Sequence, residues 1–166
     1  DSDQSATERY AMFARRLIAW LTTATSAGIL FEIDTRLRPN GTAGLLVTSI
    51  DSFERYQLRQ GDNTAWLWEH QALTMARFCA GDPKIGQQFE SIRAAVLAQE
   101  RDEQELKQEI ISMRAKVSEG HPNDSGQFDI KHDTGGMVDI EFIVQYLVLR
   151  FSHQHRNLLG NLGNIA

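Results

Sequence analysis

The sequence predicts an α+β chain that is mostly helical, with a small sheet and one helix first and a helical bundle after them. Apolar residues recur at spacings of three and four in several long segments, which is typical of amphipathic helices. Two short segments are rich in β-branched residues and bounded by glycine and proline, which is typical of strands. The change from one pattern to the other places a boundary near Gly61.

Length and composition exclude several classes of protein. The 166 residues, 42% of them hydrophobic and 23% charged, suffice for a core and argue against a disordered or collagen-like chain. A single cysteine excludes a disulfide framework within the chain and fits a reducing, cytoplasmic compartment. No apolar run approaches the length of a membrane span. Because the net charge is −5, we expect neither nucleic acid nor a membrane as a partner.

The first part of the chain is predicted to hold one helix and two strands. The helix runs from Thr7, as its cap, to about Thr25, before Gly28. Its apolar face consists of Tyr10, Phe13, Leu17, Trp20, Leu21 and Ala24. The strands are residues 29–35 and 45–50, and the loop 36–44 between them suits a long hairpin or an irregular crossing.

The second part is predicted to be helical. Asp51, with Glu54 in the register of a capping box, is expected to begin the first of these helices. The predicted helices are residues 52–60, 65–80, 83–99, 102–118 and 137–151. The last is apolar on most sides and is therefore expected to be buried. Residues 128–131 are expected to form a short strand.

Residues 29–35 carry charged side chains in a pattern that suits metal chemistry. Side chains alternate faces along a strand, so Glu32, Asp34 and Arg36 are expected on one side. Carboxylates on one face suit Mg²⁺, a hard cation that binds a few carboxylates and completes its shell with water and phosphate oxygens. The alternative is a solvated face on which acids and arginines neutralise one another.

The loop after this strand is expected to contact anions. Arg36 and Arg38 carry planar guanidinium groups that bind phosphate through forked hydrogen bonds. Gly41 and Gly44 allow backbone N–H groups to approach an anion closely. Lys131 lies just before the start of the last helix, where an anion is favoured. An ordinary exposed lysine is the alternative at that position.

Four co-linear motifs that cover nearly the whole chain resemble the glutamine synthetase adenylyltransferase family. They are Gly28-Ile-Leu-Phe-Glu-Ile-Asp34-Thr-Arg36-Leu-Arg38-Pro39-Asn-Gly41-Thr-Ala-Gly44-Leu-Leu-Val, Trp66-Leu-Trp68-Glu69-His70-Gln71-Ala72-Leu73 with Ala76-Arg77, Phe128-Asp129-Ile130-Lys131 and Gly135-Gly136-Met-Val-Asp139-Ile140-Glu141-Phe142. That family holds two nucleotidyltransferase domains in one long polypeptide. The loop 38–44, the helical segment 68–73 and the ending 146–150 are more similar to its C-terminal, adenylylating half, and the deadenylylating half is the nearest alternative. We expect the chain to be a piece of such a polypeptide.

The resemblance implies a polymerase-β-like nucleotidyltransferase fold. Residues 1–61 are then expected to be the C-terminal part of the catalytic domain, and residues 62–166 a helical bundle extension. Such domains hold two Mg²⁺ ions with three acids; Asp34 matches the third acid, and Glu32 is expected to support it. The first acid pair has no match, because Asp1-Ser2-Asp3 lacks the expected flanking residues. We therefore expect the isolated chain to fold but to be inactive.

The implied reaction transfers AMP from ATP to a tyrosine hydroxyl of glutamine synthetase, with pyrophosphate as the leaving group. Asp34 is expected to bind Mg²⁺ near the attacking hydroxyl and to help take its proton. Arg36 and Arg38 either neutralise phosphate charge or brace their loop. The implied partners of the full-length enzyme are glutamine synthetase and a nitrogen-signalling regulatory protein. The second class of function is a non-catalytic helical module that docks one of these two proteins.

Overall fold

The computed structural model describes residues 2–160, which hold six α-helices and two short 3₁₀ helices. The α-helices are α1 Ser2–Thr22, α2 Ile50–Gln57, α3 Leu67–Met75, α4 Pro83–Leu97, α5 Glu103–Glu119 and α6 Met137–Phe151. The 3₁₀ helices are Gly41–Ala43 and Arg156–Gly160. The prediction of a mostly helical chain is confirmed.

The predicted strands are not observed among residues 2–160. Thr25 and Gly28 form an isolated bridge, and no named strand accompanies it in that range. Residues 29–35 are assigned to neither a helix nor a strand, and their backbone finds a local partner: Phe31 donates its N–H to the carbonyl of Leu21 at 3.1 Å. A strand needs a second strand to pair with. β-branched composition does not supply that partner, so the prediction of strands is wrong for residues 29–35, 45–50 and 128–131.

The helix limits follow local capping chemistry. Asp82 and Asp102 accept hydrogen bonds from the first turns of α4 and α5, at 2.8 Å each. Ser49 caps α2 by accepting from the N–H of Ser52 at 3.2 Å, which corrects the prediction of Asp51 as the cap. Thr7 lies inside α1 and does not cap it. The sequence therefore predicts a helix end best where a polar side chain occupies the capping position.

The chain divides into two compact units, Asp1–Ala65 and Trp66–Ala166. Unit 1 holds α1, the first 3₁₀ helix and α2, and its buried side chains include Tyr56, Gln57 and Ala65. The N–H of Ala65 donates to the carbonyl of Tyr56 at 3.1 Å, which closes the chain after α2. The apolar face predicted for α1 lies largely in solvent, with Tyr10, Phe13, Leu17 and Trp20 all exposed.

Unit 2 buries its core between α3, α4, α5 and α6. The core side chains are Leu67, Leu73, Ile92, Val96, Leu97, Leu106, Ile110, Val138, Val148 and Leu149. Gln71, a buried polar residue of α3 in the same region, is paired, since its side chain donates to Gln145 of α6 at 3.0 Å. The expectation that α6 is buried on most sides is wrong: Val138, Val148 and Leu149 are buried, whereas other apolar residues of the helix are exposed.

Two arginines satisfy the carbonyl groups at helix ends in unit 2. Arg93 is 3% exposed and donates to the carbonyls of Leu73 at 2.7 Å, Thr74 at 2.9 Å and Leu159 at 2.8 Å. Arg101 donates to carbonyls at the ends of α4 and α6, among them Val96 at 2.7 Å. The last carbonyls of a helix have no partner within the helix. These arginines therefore close the helix ends around the core.

None of the helices within the described range 2–160 is both long and apolar enough to cross a membrane.

Replacing Arg93 by Met should lower the free energy of unfolding of unit 2 by about 3 kcal/mol. The substitution keeps an apolar stem but leaves the carbonyls of Leu73 and Thr74 buried without a donor. Arg77→Met is the matched control, because Arg77 is exposed and its loss should change the free energy by less than about 0.5 kcal/mol. Urea unfolding followed by far-UV circular dichroism measures both. Equal losses in the two variants would contradict the capping role of Arg93.

Candidate functional site

Asp34 and Arg36 form an ion pair on the surface of unit 1. Each carboxylate oxygen of Asp34 accepts a hydrogen bond from Nε of Arg36 at 3.0 Å. One of these oxygens, Oδ2, also accepts from a terminal guanidinium nitrogen of Arg36 at 2.7 Å. It also accepts the backbone N–H of Arg36 at 2.8 Å. Glu32, Ile33, Asp34, Thr35 and Arg36 line one shallow surface groove. The structure thus brings Glu32, Asp34 and Arg36 into one neighbourhood, but Ile33 and Thr35, which alternation assigns to the opposite face, line the same groove.

Arg36 holds the pKa of Asp34 at about 2, below its ordinary value of 3.8. The largest cause is the side-chain hydrogen bond from Arg36, followed by the bond from its backbone N–H. The same contact raises the pKa of the Arg36 guanidinium. Asp34 is therefore ionised throughout the neutral range and carries the charge that a metal ligand needs.

Asp34 and Glu32 are the residues of the predicted Mg²⁺ site. Within residues 2–160, no cluster of three or more His, Cys, Asp or Glu side chains is arranged to hold a metal ion. Asp34 and Glu32 offer the oxygen ligands that Mg²⁺ prefers, and Mg²⁺ is commonly bound through one or two carboxylates plus substrate phosphates. Both oxygens of Asp34 are bonded to Arg36. The donor chemistry fits Mg²⁺, but Arg36 has to release an oxygen of Asp34 before a metal binds there.

Arg38 braces the loop that follows the ion pair. Its guanidinium donates to the carbonyl of Thr35, to the carbonyl of Thr42 at 3.2 Å and to the carbonyl of Gly44 at 3.3 Å. It also reaches the hydroxyl of Thr35 at 3.3 Å. A guanidinium whose N–H groups donate to oxygens of its own loop stabilises the conformation of that loop. Of the two roles expected for Arg38, this arrangement supports the bracing role.

Gly41 and Gly44 serve the turn rather than an anion in this structure. Gly41 has φ of +54° and donates to the carbonyl of Arg38 at 2.8 Å. Gly44 donates to the carbonyl of Gly41 at 3.1 Å, and a Cβ on Gly44 would lie 1.8 Å from the carbonyl oxygen of Pro39. Both N–H groups are bonded within the loop in this structure, and contact of either glycine with an anion stays a prediction.

Tyr56 is a site residue that the sequence analysis missed. Its hydroxyl oxygen accepts the backbone N–H of Asn40 at 3.1 Å and so fastens the loop to α2. Asn40 has φ of +63°, a left-handed conformation that asparagine tolerates better than most residues. Tyr56 is 16 positions away along the chain. The sequence analysis placed it only inside the predicted helix 52–60, and no local signal pointed to this contact.

Lys131 lies in unit 2, in the turn before α6, and is exposed. The carbonyls of Ile130 and Lys131 accept the N–H groups of Met137 at 2.9 Å and Val138 at 3.1 Å. These are the first N–H groups of α6, so the turn itself satisfies the helix start that was expected to attract an anion. Asp139 accepts from Gly135 and from Arg114. Lys131 remains a predicted phosphate contact through its side chain alone.

Comparison with known proteins gives one consistent result. A family model described as glutamate-ammonia ligase adenylyltransferase matches residues 1–92. Proteins named bifunctional glutamine synthetase adenylyltransferase/adenylyl-removing enzyme match all of the chain, with 61% identity over 166 residues in Ralstonia nicotianae and 62% over 168 residues in Burkholderia mallei. The protein of the same name from Nitrosomonas eutropha is 54% identical over 166 residues. The chain spans 17% of the length of the first and third relatives and 18% of the second.

The carboxyl group of Asp34 should titrate with a pKa of about 2, and Arg36→Gln should return this pKa toward 3.8. Because the pKa is lowered in the folded chain, the ion pair contributes to stability above the ordinary value and loses that contribution as pH falls through about 2. Carbon-13 NMR of the side-chain carboxyl measures both values. An unchanged pKa in Arg36→Gln would show that the pair does not form.

Replacing Arg38 by Lys should accelerate amide hydrogen exchange at Gly41 and Gly44 by about five- to thirtyfold. The substitution keeps the charge but loses the planar fork, and the lost hydrogen bonds are worth roughly 1–2 kcal/mol. Arg36→Lys is the control, because Arg36 contacts Asp34 and none of the loop carbonyls that Arg38 holds. Similar exchange rates in both variants would argue against the bracing role.

Proposed function

The chain belongs to the glutamate-ammonia ligase adenylyltransferase family, and from this membership we propose that it is part of an enzyme that transfers AMP from ATP to a tyrosine of glutamine synthetase. The match over the entire chain to proteins named for this activity carries the proposal. The charged segment 32–38 supports it, since its carboxylates and guanidinium groups suit a metal-bound triphosphate. Regulation of glutamine synthetase is a step in nitrogen metabolism, and a nitrogen-signalling protein is the proposed second partner.

We assign roles within the segment from its contacts. Asp34 and Glu32 would hold Mg²⁺, which when bound neutralises phosphate charge and polarises phosphoryl oxygens. We propose that Asp34 also accepts the proton of the attacking tyrosine hydroxyl. The guanidinium of Arg36 is bonded only to Asp34 among the described residues and, when it turns from that carboxylate, offers a planar fork to phosphate. Arg38 keeps the loop in shape.

The fold assignment follows from the same membership. We propose that residues 1–61 are the C-terminal part of a polymerase-β-like nucleotidyltransferase domain and that residues 62–166 are its helical extension. The segment 29–35 and the apolar face of α1 support this assignment, since the apolar side chains of both are largely exposed among the described residues. We propose that the acids still needed for catalysis lie elsewhere in the polypeptide, and that the 166-residue chain alone folds without transferring AMP.

The adenylyl-removing reaction is the second candidate. The relatives' printed name includes both adenylyltransferase and adenylyl-removing activity. We favour the adenylylating half because the loop Arg38–Gly44 and the segment Trp68–Leu73 are more similar to that half. A purely non-catalytic docking role leaves the Asp34–Arg36 pair without a purpose beyond surface charge.

Asp34→Asn in the full-length enzyme should lower AMP incorporation into glutamine synthetase by at least about 100-fold. The substitution keeps the shape of the side chain but removes the charge that a metal ligand needs. Asp62→Asn is the matched control, because Asp62 is an exposed acid of the same unit. Its activity should equal that of the unaltered enzyme, and the melting temperature of both variants should stay within a few degrees.

Radiolabelled AMP incorporation and phosphorolysis of adenylylated glutamine synthetase should both be measured. A loss confined to AMP incorporation supports the adenylylating assignment, and a loss confined to phosphorolysis supports the alternative. Full activity of Asp34→Asn in both reactions would refute any catalytic role for this residue.

A further inference from the structure

Helix α6 presents an apolar face to solvent. Met137 and Ile140 are each 50% exposed, Ile143 is 58% exposed and Leu147 is 42% exposed. Their spacings of three and four place these four residues, here called the α6 face, on one side of the helix. The opposite side is buried in the core of unit 2 through Val138, Val148 and Leu149. Helix α6 is thus apolar on two sides, and the described chain covers one of them.

A groove between α5 and α6 continues this face. Its apolar lining consists of Ile110, Ile111, Phe142, Ile143 and Tyr146. Ile143 belongs to both the groove and the α6 face, so the two form one continuous apolar surface. Contiguous apolar surface of this kind on a soluble domain marks a site of interaction. A groove between two packed helices suits a third helix, whose ridges fill it at intervals of three and four residues.

The charges at the margin of the groove define the chemistry of the occupant. Arg114 pairs with Asp139, and Glu103 pairs with Arg150 at 2.9 Å, so these charges are satisfied within unit 2. Lys107 also lines the groove, and within residues 2–160 its ammonium group has no ion-pair partner. The occupant should therefore have an apolar strip and an acidic side chain opposite Lys107.

We propose that the α6 face and the adjoining groove dock an amphipathic helix from the rest of the same polypeptide. The curated relatives are much longer than this chain, which spans 17% of the protein from Ralstonia nicotianae. Most of the polypeptide is therefore available as a partner, and docking within one polypeptide gains from a high effective concentration. A second copy is disfavoured, because each copy of this chain carries a net charge of −5. The inference is independent of adenylyl transfer.

Site-specific photo-cross-linking in the full-length enzyme tests the docking. A benzophenone amino acid is incorporated in place of Ile140 or Ile143, and in place of Glu109 as a control, since Glu109 is an exposed residue of α5 outside the groove. Peptide mapping of the irradiated enzyme identifies the partner. The expected product joins Ile140 or Ile143 to a helix of the same polypeptide that lies outside the 166 residues, in at least about tenfold higher yield than any product from Glu109.

Other products overturn the proposal. A link to a second copy would identify a homodimer interface, a link formed only after glutamine synthetase is added would identify a substrate-docking surface, and reaction with solvent alone would show an uncovered face. Oxidation of Met137 by hydrogen peroxide in the unaltered enzyme gives a second measurement. A covered Met137 should be oxidised at least about tenfold more slowly in the native enzyme than in urea. Oxidation within about twofold of the urea rate would contradict docking.

Discussion

The carbonyl groups at the ends of short helices are the constraint on which unit 2 depends. Helix α3 has nine residues, so a large share of its carbonyls lies in the last turn without an intrahelical partner. Arg93 satisfies two of the carbonyls at this end from a position that is nearly without solvent. Burial lowers the pKa of its guanidinium, yet an arginine keeps its charge across the physiological range. Arg101 does the same for α4 and α6, which lets four helices meet around one apolar core.

Sequence patterns predicted the helices well because helices are satisfied locally. The limits of α6 are the predicted ones, 137–151, and α4 begins at the predicted Pro83. Strands depend on a distant partner that composition cannot reveal, which is why residues 29–35 were predicted as a strand but do not form one. The prediction that α6 is buried failed for the same reason, since an apolar helix face is buried only if another part of the protein covers it. The α6 face shows this directly, because its residues are apolar but exposed.

In the candidate site, too, contacts between sequence neighbours could be predicted and contacts between distant residues could not. The contact between Asp34 and Arg36 does not depend on a strand, because the two residues are only two positions apart in sequence. The contacts of Arg38 and Tyr56 depend on how the loop folds back, and residue type alone left the role of Arg38 open. The resulting segment consists of an exposed ion pair followed in sequence by a loop whose conformation is fixed by hydrogen bonds. A pair whose side chains are 75% and 51% exposed is held weakly enough for its members to exchange partners. In the function that we propose, Asp34 would exchange the guanidinium for a metal ion, and Arg36 would exchange the carboxylate for a phosphate.

The central claim is that Asp34 contributes a ligand to a divalent metal ion in the full-length enzyme. Electron paramagnetic resonance of Mn²⁺, a close substitute for Mg²⁺ at oxygen ligands, measures this directly in the presence of a non-hydrolysable ATP analogue. The account predicts that Asp34→Asn weakens binding of at least one Mn²⁺ ion by about tenfold or more, while Asp62→Asn binds as the unaltered enzyme does. Mn²⁺ binding of equal affinity and stoichiometry in Asp34→Asn and the unaltered enzyme would contradict it.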